Sequence, residues 1–332
     1  MKENEDLEQD RDVATLLRVA GKRHDVPRER AERIRATARA EWQVEVRRGS
    51  RRRRAWAAAA LAAAATVAAV WLGLPSRPAA VPVESLSGAA WARAAGGDGA
   101  ERRRIAVGDE VTLESAVETD EGGRVALRLV SGHSLRLDAS TRVRLLGAAS
   151  VTLDRGTLYV DSGPAAAAAA ALSVHTALGV VQETGTQFEV RLEGDSLLVR
   201  LREGAAVVRH RGQVHEVAAG NELGLSAGGT VTRRPVPTHG PEWDWLVGVT
   251  PMLDLEGRSA RAFLDWVARE RGWTLAFEHP TVARSAEGIV LAGTVRMLTL
   301  DEVLDAVLPT CRLTYRVVDG VLVIGAAGPE SA

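Results

Sequence analysis

The side chains able to do chemistry are scattered along this chain. Seven histidines and one cysteine make up its main stock of metal ligands and nucleophiles. His210 and His215 flank a turn at Arg211-Gly212 and can share one sheet face. Two histidines without a third ligand make a poor zinc site, so no metal is expected. Gly-x-Ser-x-Gly, Walker A, His-Glu-x-x-His and Cys-x-x-Cys patterns are absent, so neither enzyme activity nor a cofactor is expected. Gly185-Thr186 reads as a tight turn, because no helix start follows to hold a phosphate. Asp138, Asp154 and Asp161 end or punctuate apolar runs, where aspartate commonly serves turns. Cys311, between Pro309 and an apolar run, reads as a core thiol, and its solitude excludes an intrachain disulfide. Trp243-Asp-Trp245 is expected to seal a junction between domains rather than to stand exposed, since large aromatics mostly bury.

The element that organises everything else is an uncharged run from Ala55 to Leu74, preceded by Arg51 to Arg54 and closed by Pro75. Twenty residues make about 30 Å of helix, the thickness of a bilayer core. Trp56 and Trp71 sit near its ends, and Leu61, Val67, Val70 and Leu74 supply much of the strong hydropathy. A soluble Ala-rich helix would expose a large apolar patch. A cleaved signal peptide would not carry a 54-residue head, and a nucleic-acid patch fits poorly against a membrane span. A single-pass anchor is expected. Six arginines on one flank place the N-terminus in the cytoplasm and everything after Pro75 across the membrane, the periplasm if the host is a Gram-negative bacterium.

Charge follows this division. Residues up to Arg54 hold 16 basic and 11 acidic groups, and the remainder holds 26 and 32. The head, residues 1–54, begins with six acids in twelve residues and then shows helical spacing at Val13, Leu16, Leu17 and Val19. A second helix can start near Asp25 and run past Trp42. So short a segment lacks a core of its own. It reads either as a disordered tail or as a hairpin that folds on a partner, with Leu16, Leu17 and Trp42 as the apolar anchors.

Beyond a spacer at 75–82, residues 83–232 alternate apolar and polar side chains in short runs separated by glycine. This predicts an all-β sandwich, barrel or short solenoid. A linker is expected at 233–247. Residues 248–325 then read as a small α+β domain of order β-α-β, β-α-β-β. Its expected parts are a strand at Met252–Glu256, a helix capped by Ser259 and ended by Gly272, and a strand from Trp273. A strand over Ile289–Val295, a capping box at Thr299–Glu302 and a hairpin turn at Asp319-Gly320 complete it. The fold class is thus multidomain: one transmembrane helix, an all-β domain and an α+β domain.

Several stretches carry a family resemblance. They are Arg124-x-x-Leu-x-Leu-x-x-Gly-x-x-Leu-x-Leu-Asp138, Val151-Thr-Leu-Asp-Arg-Gly-Thr-Leu-Tyr-Val-Asp161, Leu172-Ser-Val-His-Thr176, Gly185-Thr-Gln-Phe-Glu-Val190 and Val199-Arg-Leu-Arg-Glu-Gly204. Residues from about 100 to 225 resemble the FecR domain of iron-dicitrate-type membrane sensor regulators. The C-terminal part is similar to the secretin and TonB short N-terminal domain. The head departs from the family, since its tryptophan-containing helical motif is not clear. The resemblance implies an anti-sigma factor and signal transducer. Its implied partners are an extracytoplasmic-function sigma factor inside and the signalling domain of a TonB-dependent receptor outside, with proteolysis of the anchor as an implied step. A membrane-anchored β-domain that binds a cell-envelope component, without any sigma factor, is the alternative.

Overall fold

The computed structural model describes residues 79–94, 101–163, 171–185, 187–293 and 299–327. The expected head with Leu16, Leu17 and Trp42 lies outside the described residues. So does the expected span with Trp56, Leu61, Val67, Val70, Trp71 and Leu74. Among the described residues no helix is long and apolar enough to cross a membrane. Arg77–Ala332 forms one compact unit.

Strands begin at β1 (Ala80–Ser87), so the last three residues of the expected spacer are paired. Then come β2 (Ala90–Arg93), β3 (Arg102–Arg104), β4 (Glu110–Thr112), β5 (Ala116–Thr119) and β6 (Arg124–Arg128). Next are β7 (Ser134–Leu137), β8 (Arg142–Gly147), β9 (Ser150–Asp161), β10 (Ser173–Thr176) and β11 (Gly179–Glu183). The series closes with β12 (Gln187–Glu193), β13 (Ser196–Glu203), β14 (Ala205–His210), β15 (Gln213–Ala218), β16 (Asn221–Ser226) and β17 (Val231–Pro235).

Of the three all-β readings, the sandwich is the one formed. The first sheet runs β1-β6-β7-β9-β12-β13-β16-β17, antiparallel throughout. The second runs β3-β2-β5-β8-β9-β10-β11-β14-β15, with one parallel pairing between β9 and β10. Strand β9 belongs to both, its first half in the second sheet and its last half in the first. It crosses at Gly156, where φ is +88° and a Cβ would lie 2.5 Å from the Thr141 hydroxyl. Alternation turns Leu135, Leu137, Leu158, Val160, Phe188 and Val190 inward against Val117, Val143, Val151 and Leu153 of the other sheet.

The remainder of the fold starts earlier than expected. Residues 233–235 belong to β17, and Pro241–Val249 is a 3-10 helix, so 233–247 is not an irregular linker. Then follow α1 (Ala260–Arg271), β18 (Thr274–Phe277), α2 (Pro280–Gly288), α3 (Leu300–Val307), β19 (Leu313–Val318) and β20 (Val321–Ala326). Ser259 caps α1 by accepting from Ala262 N, and Gly272 ends it in the left-handed region. Both halves of the Thr299–Glu302 capping box are formed. Asp319 and Gly320 both have positive φ, as a type I′ turn requires.

Two expected strands are not formed among the described residues. Residues 252–256 are irregular, and Ile289–Val295 is reduced, among its described residues, to a single bridge between Val290 and Ser259. Helix α2 was not foreseen; Pro280 opens it and His279 caps it. The small sheet is therefore β18-β20-β19, backed by an apolar core of Phe263, Leu264, Val267, Val303, Leu304, Leu322 and Ile324. Cys311 is buried in that core, as its neighbours suggested.

Candidate functional site: a buried charge junction

Alternation gives the first sheet an outward face that ordinarily meets water. On it the register aligns Arg136, Tyr159, Glu189, Arg200, Glu222 and Arg234 in one row across six strands. Ser134, Asp161, Gln187 and Glu203 form the next row. Cationic and anionic neighbours across strands attract, so the rows are stable in water. Here much of this face is covered: Arg136, Tyr159 and Glu189 are each 1% exposed.

The cover is the 3-10 helix and the C-terminal end of α1. Trp243 packs edge-on to Tyr159 at 6.2 Å and donates its indole N–H to Pro237 O at 2.8 Å. Trp245 donates to Glu189 Oε2 at 3.0 Å. Trp243 is buried and Trp245 partly buried, so neither stands exposed as a recognition pair. Arg136 donates both arms to Glu270 at 2.7 and 2.9 Å, a bidentate pair. Arg269 holds Asp161 at 2.6 Å and also pairs with Glu203. Arg202 donates to the Glu270 carbonyl at 3.0 Å and to Thr238 O at 2.6 Å. The carbonyl end of α1, where the macrodipole is negative, thus faces the guanidinium groups of Arg136 and Arg202.

Electrostatics follow from burial and pairing. Burial disfavours the Asp161 carboxylate, but the hydrogen bonds and charge of Arg269, with Arg136 behind, outweigh it and hold its pKa below the ordinary value. Glu222 behaves alike: Arg234 and Arg200 outweigh its desolvation and lower its pKa. At Glu189 burial wins over Trp245, Arg191 and Arg200, and the pKa is raised. Burial likewise raises the Tyr159 phenol. Arg136 is shifted further upward because Glu270 more than offsets its desolvation.

Asp138, Asp154 and Asp161 are not chiefly turn formers. Asp138 pairs with Arg124 at 2.7 Å, Asp154 with Arg144 at 3.0 Å, and Asp161 with Arg269. Only Asp161 also bonds a following N–H, that of Gly163. Sequence reasoning missed Arg136, Arg202, Arg269 and Glu270. The available signal was their placement: arginines on strands whose other face is fully apolar, and a charge in the last turn of a capped helix.

Two other clusters carry side chains of catalytic or metal-binding type. Ser131, His133 and Glu183 line up as hydroxyl, imidazole and carboxylate, with Ser131 Oγ 2.7 Å from His133 Nδ1 and Glu183 on Nε2. The backbone donors of this turn are taken, Ser131 N by Ala148 O and Gly132 N by Leu129 O, so neither can serve an oxyanion. The trio pins the β6–β7 turn to β11. His210 bonds Leu178 O at 2.6 Å, and among the described residues no group of three metal-ligating side chains converges. Gly185 has the positive φ of a turn, while Thr186 lies outside the described residues. The arrangement at the junction holds the 3-10 helix and α1 against the first sheet; it contains no nucleophile set beside a base.

A family model described as FecR protein matches residues 115–207, the stretch from β5 into β14 that supplies central strands to both sheets. Two similar solved structures are crystal structures of a candidate anti-sigma factor from Parabacteroides distasonis. One is 17% identical with a TM-score of 0.36, covering 63% of this chain and 97% of that one. The other is 16% identical with a TM-score of 0.35, covering 64% and 99%. Similarity at this level adds no argument to the family match. Among curated proteins nothing matches.

Proposed function

Proceeding from the FecR domain at residues 115–207, we propose that this chain is an anti-sigma factor that carries a signal across the bacterial inner membrane. In this reading residues 75–332 lie in the periplasm and meet the signalling domain of a TonB-dependent receptor. Residues 1–54 lie in the cytoplasm and bind an extracytoplasmic-function sigma factor. The FecR match is the observation that carries the proposal. The charge asymmetry across residues 55–74 supports the topology. The charged junction supports a transducing role, because polar interfaces within a chain separate more readily than apolar ones.

The deciding experiment uses a soluble fragment of residues 1–54 and the sigma factors of the host. It is expected to capture its cognate sigma factor and to gain helicity on mixing. Leu17→Ala with Trp42→Ala is expected to weaken capture at least about thirtyfold, the loss typical of an interface anchor. A wild-type fragment that neither binds nor orders with any of them would overturn the anti-sigma assignment. The chain would then be an anchored envelope-binding protein.

A further inference from the structure

The outward face of the second sheet carries both signs of charge with arginine in excess. Across β3, β2, β5 and β8, one row reads Arg102, Arg93, Ala116 and Arg144. The next reads Arg104, Trp91, Glu118 and Arg142. Further along, Arg209 on β14 continues the first row through Thr152, His175 and Val180. Glu118, Asp154 and Glu216 are the acids on this face, and the first two are engaged by Arg142 and Arg144. The excess of arginine stands out because the chain after Arg54 is acidic as a whole, with 32 acidic and 26 basic groups. Unlike the first sheet, this face has no helix of the described residues packed on it. Exposed Leu146 and Val214 lie among the charges.

We propose that this face docks on an anionic lipid surface, a reading that goes beyond the anti-sigma assignment but shares its membrane anchor. Nine strands at about 4.8 Å spacing make a surface about 40 Å across, wider than a small ligand can cover. Its charge is complementary to phosphate headgroups, and each arginine near such a surface adds about fivefold in affinity. Trp91 lies under Arg102, 4.1 Å from ring centroid to guanidinium, and an indole among arginines is the composition of a headgroup zone. The tether is short. Ala80 follows Leu74 by six residues, at most about 20 Å of extended chain. At the sheet edge, Arg103 donates at 3.3 Å to the carbonyl of Glu110, the strand partner of Pro82. The chain therefore enters the β-unit at the β4 edge, next to β3.

The test is flotation of residues 77–332, the compact unit that contains both apolar cores. The probes are phosphatidylcholine vesicles with and without about one third phosphatidylglycerol. Binding is expected only to the anionic vesicles, with release at high salt. Arg104→Gln with Arg209→Gln is expected to lower partitioning on the order of thirtyfold. Arg284→Gln with Arg316→Gln removes the same charge from the α+β part and is expected to change it little. No flotation with anionic vesicles overturns the proposal and leaves the face to an acidic protein. Equal losses in the two double variants also overturn it, since bulk charge would then explain the binding. The fragment lacks the candidate anchor and the head. A failed lipid result thus leaves the anti-sigma assignment standing, and the reverse holds as well.

Discussion

Arg136 donates both arms of its guanidinium to Glu270 where water is excluded, and Thr250 Oγ1 lies 3.4 Å from the same carboxylate. Removing one member of such a pair strands a charge in low dielectric. Arg136→Ala is therefore expected to cost about 3–5 kcal/mol, read by urea unfolding of residues 77–332. Arg136→Met together with Glu270→Leu is expected to restore most of it, because desolvation of both charges disappears with them. A cost below about 1 kcal/mol for the single change would mean that the junction is hydrated in solution.

Asp161 gives the same junction a pH signature. Its folded pKa lies below the ordinary carboxylate value, so the unfolded chain binds the proton more tightly. The pairing with Arg269 stabilises above that ordinary value, near pH 4, and is lost as the pH falls through the lower folded value. Arg269→Gln is expected to lower the urea midpoint at pH 7, and the gap from wild type should close progressively below about pH 4. A gap independent of pH would assign the loss to packing instead.

At the scale of elements, Gly156 lets one strand serve two sheets. With φ at +88° and a Cβ position 2.6 Å from the Thr141 Cα, alanine there meets backbone as well as strain. Gly156→Ala is expected to lower stability by at least about 2 kcal/mol. Gly132, in the β6–β7 turn, has a similar φ of +90° but open space around its Cβ position. Gly132→Ala should therefore cost only about 1 kcal/mol of backbone strain. Thermal melts of the two variants side by side separate collision from conformation. Equal losses would remove the close approach at Gly156 as the reason for its glycine.

At the scale of the whole molecule, two apolar cores lie inside one compact unit and meet through polar and aromatic groups. The second core draws its buried residues from Leu255 to Ile324 only. A fragment of residues 248–325 is therefore expected to melt cooperatively with mixed α/β circular dichroism. A coil-like, non-cooperative spectrum would show that α1 needs the first sheet beneath it to form. Cooperative folding of the fragment would make the Arg136–Glu270 and Arg269–Asp161 pairs the place where a signal can part the two halves.

Local rules are enough to derive much of this from the amino-acid sequence. The alternation through Leu135, Leu137, Leu158 and Val160 specifies strands with one buried face. Ser259, Gly272, Thr299 and Asp319-Gly320 specify helix ends and a hairpin, since caps and turns depend on residues a few positions apart. The sandwich needed the tertiary structure, because Gly156 can mark a bend in β9 but not which strands pair on either side of it. The irregular path of 252–256 needed it too: Met252 and Leu253 pack half-buried against the second core without strand partners, so apolar alternation misleads there. The junction was the least legible part. Arg136 and Glu270 are 134 positions apart, and each alone reads as a solvated charge. Only the docking of α1 onto the first sheet removes their water and makes them partners.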